Sequence, residues 1–170
     1  EYVLEEVGEY VDVVCFPDDL GFQDRPYVRP ELYRKMIKPY HRRIVETIKR
    51  KTDAKVLMHT DGSVYPLIPD FIEIGVDILN PVQVSAKDME APRLKAEFGA
   101  DLSFWGGIDT HRVLPSGTPE DVRNEVKTKI KELGPGGGYV LGSVHNILAE
   151  VPAENVVVMF DSALEFGNYG

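Results

Sequence analysis

The chain has 170 residues, 43% hydrophobic and 28% charged, a composition able to bury one ordinary core. Its 19 lysines and arginines stand against 28 acids, a net charge of -9, and the basic residues are scattered, which argues against nucleic acid as a partner. No apolar run reaches the roughly 20 residues of a membrane helix, the start from Glu1 to Glu6 lacks a basic head and an apolar signal core, and one cysteine, Cys15, excludes an internal disulfide and suits a reducing cytoplasm.

In chain order, Val11 to Phe16 is a β-rich run that stops at Pro17 and opens into Asp18-Asp19-Leu20-Gly21-Phe22-Gln23. Between Pro30 and Arg50, Leu32, Met36, Tyr40, Ile44 and Ile48 recur every four positions, which predicts a helix burying that face and kinked or divided at Pro39. Lys55 to Gly62 reads as a strand buried on both faces that delivers His59, Asp61 and Gly62 at its end. Ser63 is a candidate cap for a helix whose core face is Leu67, Ile68, Phe71 and Ile72, with Gly75 as its stop. Val76 to Pro81 is a third strand, and Asp88 a candidate cap for a helix running to Phe98 and closed by Gly99. Leu102 to Asp109 is a fourth strand with its exit loop. Thr118-Pro119-Glu120-Asp121 starts a helix with the stripe Val122, Val126, Ile130 and Leu133. Gly137 to Gly142 is a fifth strand emptying into Ser143-Val144-His145-Asn146, and a last helix follows Pro152 to Phe166.

Five strand-then-helix units predict an α/β fold with a parallel sheet, because parallel neighbours need a crossover and each helix supplies one. No Gly-x-Gly-x-x-Gly turn follows a strand, so the usual signature of a dinucleotide-binding open sheet is missing. A closed eight-stranded barrel takes about 250 residues. A single domain of five units that does not begin with methionine is therefore expected to be the later part of a TIM-type barrel. Alone, such a part has two raw sheet edges and an uncovered apolar interior, which self-association or a missing amino-terminal half is expected to cover.

In barrels the strand ends and the loops after them form the active face. Those ends carry Asp18 and Asp19, then His59 and Asp61, Asn80 and Gln83, Asp109, and finally His145 and Asn146. His59 and Asp61 are two apart on an extended segment and can share a face, and a closing sheet brings His145 within reach. These three suit a zinc site with an open fourth position. The same residues also suit a plain Asp61-Gly62 turn beside two hydrogen-bonding histidines. Asp18 and Asp19 fit general acids or bases and equally fit turn and capping residues. Cys15 reads as core packing rather than a nucleophile, and Trp105 as core or as a pocket wall. The glycine-rich run 134–138 precedes its strand, so it reads as a connection on the opposite face instead of a phosphate cradle.

Five segments together carry a family resemblance: Asp18 to Gln23, Lys55 to Gly62, Ile78-Leu79-Asn80-Pro81-Val82-Gln83, Phe104-Trp105-Gly106-Gly107-Ile108-Asp109, and Gly137-Gly138-Tyr139 through His145-Asn146-Ile147 to Asn155. Over nearly its whole length the chain resembles the carboxy-terminal half of the uroporphyrinogen decarboxylase superfamily. The resemblance implies a (β/α)₈ barrel and one of two chemistries. One is the cofactor-free decarboxylation of uroporphyrinogen's acetate side chains in porphyrin and haem biosynthesis. The other is methyl transfer between a corrinoid protein and a small compound, with zinc held by a His-x-Cys pair and a later cysteine. His59-Thr60-Asp61-Gly62 is similar to the methyltransferase version, with Asp61 where the first cysteine is expected. His145 falls near the later cysteine, a place also similar to the Gly-His-Gly segment of the decarboxylases.

A carboxylate in place of a thiolate leaves zinc a harder, stronger Lewis acid, so a substrate other than coenzyme M is expected. The resemblance thus implies a cytoplasmic, zinc-dependent methyltransferase working with a corrinoid protein on a small methylated compound. His59, Asp61 and His145 would hold the metal, Asp18, Asp19 and His145 would be catalytic, and Asn80, Gln83, Trp105, Asp109 and Asn146 would bind substrate. Uroporphyrinogen decarboxylation, with His145 on the substrate and no metal, is the alternative. A non-catalytic corrinoid or tetrapyrrole carrier is the third reading.

Overall fold

The computed structural model describes residues 2–168. Strands β1 (Val13–Pro17), β2 (Lys55–His59), β3 (Ile78–Asn80), β4 (Ser103–Ile108) and β5 (Tyr139–Ser143) form one parallel sheet in sequence order. The helices are α1 (Tyr2–Val7), α2 (Pro30–Leu32), α3 (Lys38–Lys51), α4 (Ile68–Ile74), α5 (Ala91–Phe98), α6 (Val113–Ser116), α7 (Pro119–Leu133) and α8 (Ala153–Phe166). The short helices α1 and α6 have no counterpart in the sequence reading.

Register explains where the core lies. Phe16, Met58, Leu79, Phe104 and Tyr139 are successive partners across the five strands. They pack with Val45 and Ile48 of α3, Phe71 of α4, Leu94 of α5 and Leu133 of α7 in one apolar cluster. Because strand side chains alternate, the next row points the other way. That row contains Cys15, Leu57, Ile78 and Ser103, with Trp105 and Val140 one step further along. Cys15 is exposed rather than packed in the core and Val140 is 42% exposed, while Leu57 and Ile78 of the same row are buried. A second cluster joins Ile108, Leu114, Val122, Val126 and Met159 beneath β4 and between α6, α7 and α8.

The helix expected over 30–50 exists, but of its expected stripe only Ile48 is buried. Leu32, Met36, Tyr40 and Ile44 are exposed, whereas Tyr33, His41, Val45 and Ile48 are buried. Steps of four overshoot a 3.6-residue turn by about 40° each, so a stripe spaced only by fours drifts off the core face. The break also comes earlier than Pro39: a π-helical turn at Tyr33–Ile37 joins α2 to α3, and Pro39 sits in the first turn of α3, where its missing amide costs no hydrogen bond. Two caps differ as well. Ser63 is buried in a loop and a short 3₁₀ turn, Tyr65–Leu67, leads into α4. Asp88 adopts a left-handed backbone and pairs with Arg93 at 3.0 Å, and Glu90 occupies the N-cap of α5. Thr118 does form a capping box with Asp121, and Gly75 closes α4 with φ 93°.

Two polar networks tie α3 to the rest. Asp70, 4% exposed, receives Lys38 Nζ at 2.7 Å and Arg34 Nε at 3.0 Å, while Glu73 receives Lys38 and Arg42, each at 2.6 Å. In the second, buried His41 bridges Tyr33 and Asp18, with Nδ1 3.2 Å from the phenol oxygen and Nε2 2.9 Å from Asp18 Oδ2. Replacing His41 by leucine strands the fully buried Tyr33 hydroxyl, so a loss of about 2 kcal/mol in denaturant unfolding is expected. Adding Tyr33→Phe should recover part of that loss, which a double-mutant cycle reads directly.

Candidate metal and substrate site at the strand exits

The rim is built from close backbone approaches. Gly62 has φ 85°, and a Cβ there would lie 2.3 Å from the Gly21 carbonyl oxygen. Gly106 has φ 122°, and its Cβ would lie 1.9 Å from the Pro81 oxygen, which accepts the Gly107 amide at 3.0 Å. Only glycine permits either approach. Side chains then brace the loop after β2: Asp19 Oδ1 accepts the Asp61 amide at 3.0 Å, Gln83 Oε1 accepts the Gly62 amide at 2.8 Å, and Thr60 Oγ1 accepts the Leu20 amide at 3.0 Å.

His59, Asp61 and His145 converge on this rim. One ligand-capable atom from each lies within 4.8 Å of the others. Asp61 Oδ2 is 3.8 Å from His59 Nε2 and 3.7 Å from His145 Nε2, and the two imidazole rings are 5.9 Å apart, centre to centre. Tetrahedral zinc with nitrogen and oxygen ligands needs donor atoms roughly 3.4 Å apart. The donor set fits that ion after a contraction of roughly an ångström, which rotamer adjustment supplies. His59 Nδ1 is 2.6 Å from Asn80 Oδ1, and Asn80 Nδ2 donates to the Trp105 carbonyl at 3.1 Å. Burial pushes the Asp61 carboxyl above the usual carboxylate range with help from nearby Asp19, against the opposing pull of His59, His145 and His111.

Beside the three residues opens a cavity of about 310 Å³, lined by Asp61, Gln83, His111, His145, Asn146 and Glu150, with apolar wall from Pro115, Val144, Leu148 and Val151. Asn146 thus stands where a pocket role needs it, whereas Gln83, 7% exposed, gives its oxygen to the Gly62 amide and its nitrogen to Gln23 Oε1 at 2.8 Å. Asp109 does not stand there: it is 7% exposed, its Oδ1 accepts the His111 amide at 2.7 Å, and it shapes the turn into α6. Trp105 lies on the sheet face opposite Phe104, with its indole 3.5 Å from where a Gly142 Cβ would be. Asp18 turns towards His41, and Asp19 towards the Asp61 amide, so both carboxylates are engaged in holding the rim. Sequence reading missed His111 and His41. His111 sits two residues past Asp109 on the β4 exit, and that position was the available signal; His41, inside a helix, offered none.

An arc of parallel strands whose exits gather histidines, a carboxylate and amides at one rim is the architecture of a barrel enzyme's active face. Residues 1–166 match the family model for uroporphyrinogen decarboxylase (URO-D). The chain belongs to that family. Among curated relatives, a methylated-thiol–coenzyme M methyltransferase from Methanosarcina mazei is 26% identical over 129 residues, covering 76% of this chain and 32% of its own length. A uroporphyrinogen decarboxylase from Legionella pneumophila (strain Lens) is 25% identical over 166 residues, 96% of this chain and 44% of its own length. Among solved structures, a methyltransferase from Methanosarcina mazei superposes with a TM-score of 0.72 at 21% identity, over 92% of this chain and 43% of its own. The fold is thus the TIM-barrel type, and the chain spans less than half the length of these relatives. No helix among the described residues is long and apolar enough to cross a membrane.

Proposed function

We propose that this chain carries the zinc-holding part of a methyl-transfer site that acts with a corrinoid protein on a small methylated compound. The convergence of His59, Asp61 and His145 from two separate strands, with donor atoms within 4.8 Å, carries the reading. The methyltransferase relative of known sequence and the methyltransferase of similar fold lend it support.

His59 and His145 would bind through imidazole nitrogen and Asp61 through a carboxylate oxygen. Zinc in such a site supplies a hard Lewis acid with one open position, suited to an oxygen or nitrogen atom more than to a thiolate. The protein does the rest. Asp19 and Gln83 hold the backbone of Asp61 and Gly62 in place, and the apolar wall of the cavity accommodates an alkyl group beside the polar side chains of His111 and Asn146. The open rim is where a corrinoid partner would present its methyl group.

Metal analysis of the full-length protein tests this. About one zinc per chain is expected, and Asp61→Ala should lower retained zinc to near background without unfolding the protein. The second reading is uroporphyrinogen decarboxylation, favoured by the relative of that name that covers 96% of this chain. Zinc-free protein that turns over uroporphyrinogen would replace the first reading by the second. Protein with neither property would be a carrier.

A further inference from the structure

We infer that Asn80 is a positioning residue for the proposed metal site: its side-chain amide fixes which nitrogen of His59 carries the proton, leaving Nε2 as the free donor. The inference rests on the metal reading for its purpose, but its geometry stands independently. His59 and Asn80 are direct partners in the register of β2 and β3, so their side chains leave the sheet on the same face.

A backbone carbonyl only accepts hydrogen bonds, so the Asn80 atom 3.1 Å from the Trp105 oxygen has to be the amide nitrogen. Its oxygen then faces His59 Nδ1 at 2.6 Å, and that oxygen can only accept. Nδ1 of His59 therefore bears the hydrogen. In a neutral imidazole this leaves the lone pair on Nε2, the atom 3.8 Å from Asp61 Oδ2 and on the side of His145. The relay spans three adjacent strands, and each end is fixed by backbone. Trp105 precedes Gly106, which lies against Pro81, and the Asn80 carbonyl accepts the Thr60 amide at 2.9 Å.

This differs from a role in binding substrate. Asn80 is 21 residues from His59 in sequence but meets its ring, and both amide groups are already occupied. A partner of this kind raises ligand basicity and orients the ring, and its loss typically weakens metal binding about 10- to 100-fold.

Nitrogen-15 histidine spectra of metal-free, full-length protein provide the test, followed by zinc titration. The expected wild-type signature for His59 is the Nδ1–H tautomer. Asn80→Leu should shift the ring towards Nε2–H and weaken zinc about 10- to 100-fold, whereas Asn80→Asp should keep the Nδ1–H form. A purely structural tie between strands would lower stability in the leucine variant and leave the tautomer unchanged, which overturns the inference. Wild-type protein showing Nε2–H overturns it without any variant. Nδ1–H in a protein that takes up no zinc supports the role of Asn80 and defeats the metal reading instead.

Discussion

Gly106→Ala is expected to have the largest effect of any single methyl group added to this chain. The new Cβ would fall 1.9 Å from the Pro81 oxygen at a backbone φ of 122°, so the clash is between two main-chain segments that no rotamer change relieves. The β3 exit has to move, and with it the Trp105 carbonyl that holds Asn80. A loss of about 4 kcal/mol or more is expected, read as a drop in urea midpoint or as failure to accumulate folded protein. On the proposed metal reading, a variant that does fold should have lost zinc. Gly107→Ala, three to four ångströms from the Tyr139 hydroxyl and Leu133 side chain, is the informative companion, because its nearest neighbour at 3.2 Å is a side-chain tip.

Asp70→Asn is expected to cost about 3 kcal/mol. The carboxylate is almost wholly buried between α3 and α4, and Lys38, whose side chain is only 10% exposed, would keep Glu73 as a charge partner. The effect has a pH signature. Burial opposes the charge on Asp70, but hydrogen bonds from Arg34 and Lys38, with their charges, outweigh it and hold the carboxyl below its ordinary value. A carboxyl depressed in the folded state stabilises fully above its unfolded pKa of about 3.9 and stops stabilising as pH falls through the folded value. The gap between wild type and Asp70→Asn should therefore be constant near neutrality and shrink in acid. A gap that widens below pH 4 would contradict the assignment.

The strands were legible because their signal is local. Val56, Leu57 and Met58 sit in an unbroken apolar run, and Phe104 and Tyr139 lie opposite one another in register, as buried parallel strands require. Thr118 and Gly75 were legible for a similar reason, since a cap is chemistry within one turn. The exit residues followed from fold class alone, and His59, Asp61 and His145 do meet. What failed depended on contacts distant in sequence. Met36 and Tyr40 have the spacing of a core face but are exposed, whereas Tyr33 and His41 are buried against Phe71 and Asp18. Apolar neighbours suggest burial for Cys15, yet the alternation of β1 turns it away from Phe16 and the main apolar cluster, and it is exposed. Asp109 read as a pocket acid because nothing in its position reveals that the His111 amide claims it.

His59 and Asp61 leave the sheet together, while His145 follows a strand three places away. In a flat sheet that separation is about 14 Å, but the imidazoles stand 5.9 Å apart. The distance between them is therefore a gauge of curl: flattening the arc would separate His145 from the pair and leave the pair intact. How tightly the sheet bends thus sets whether three donors or only two face the same point.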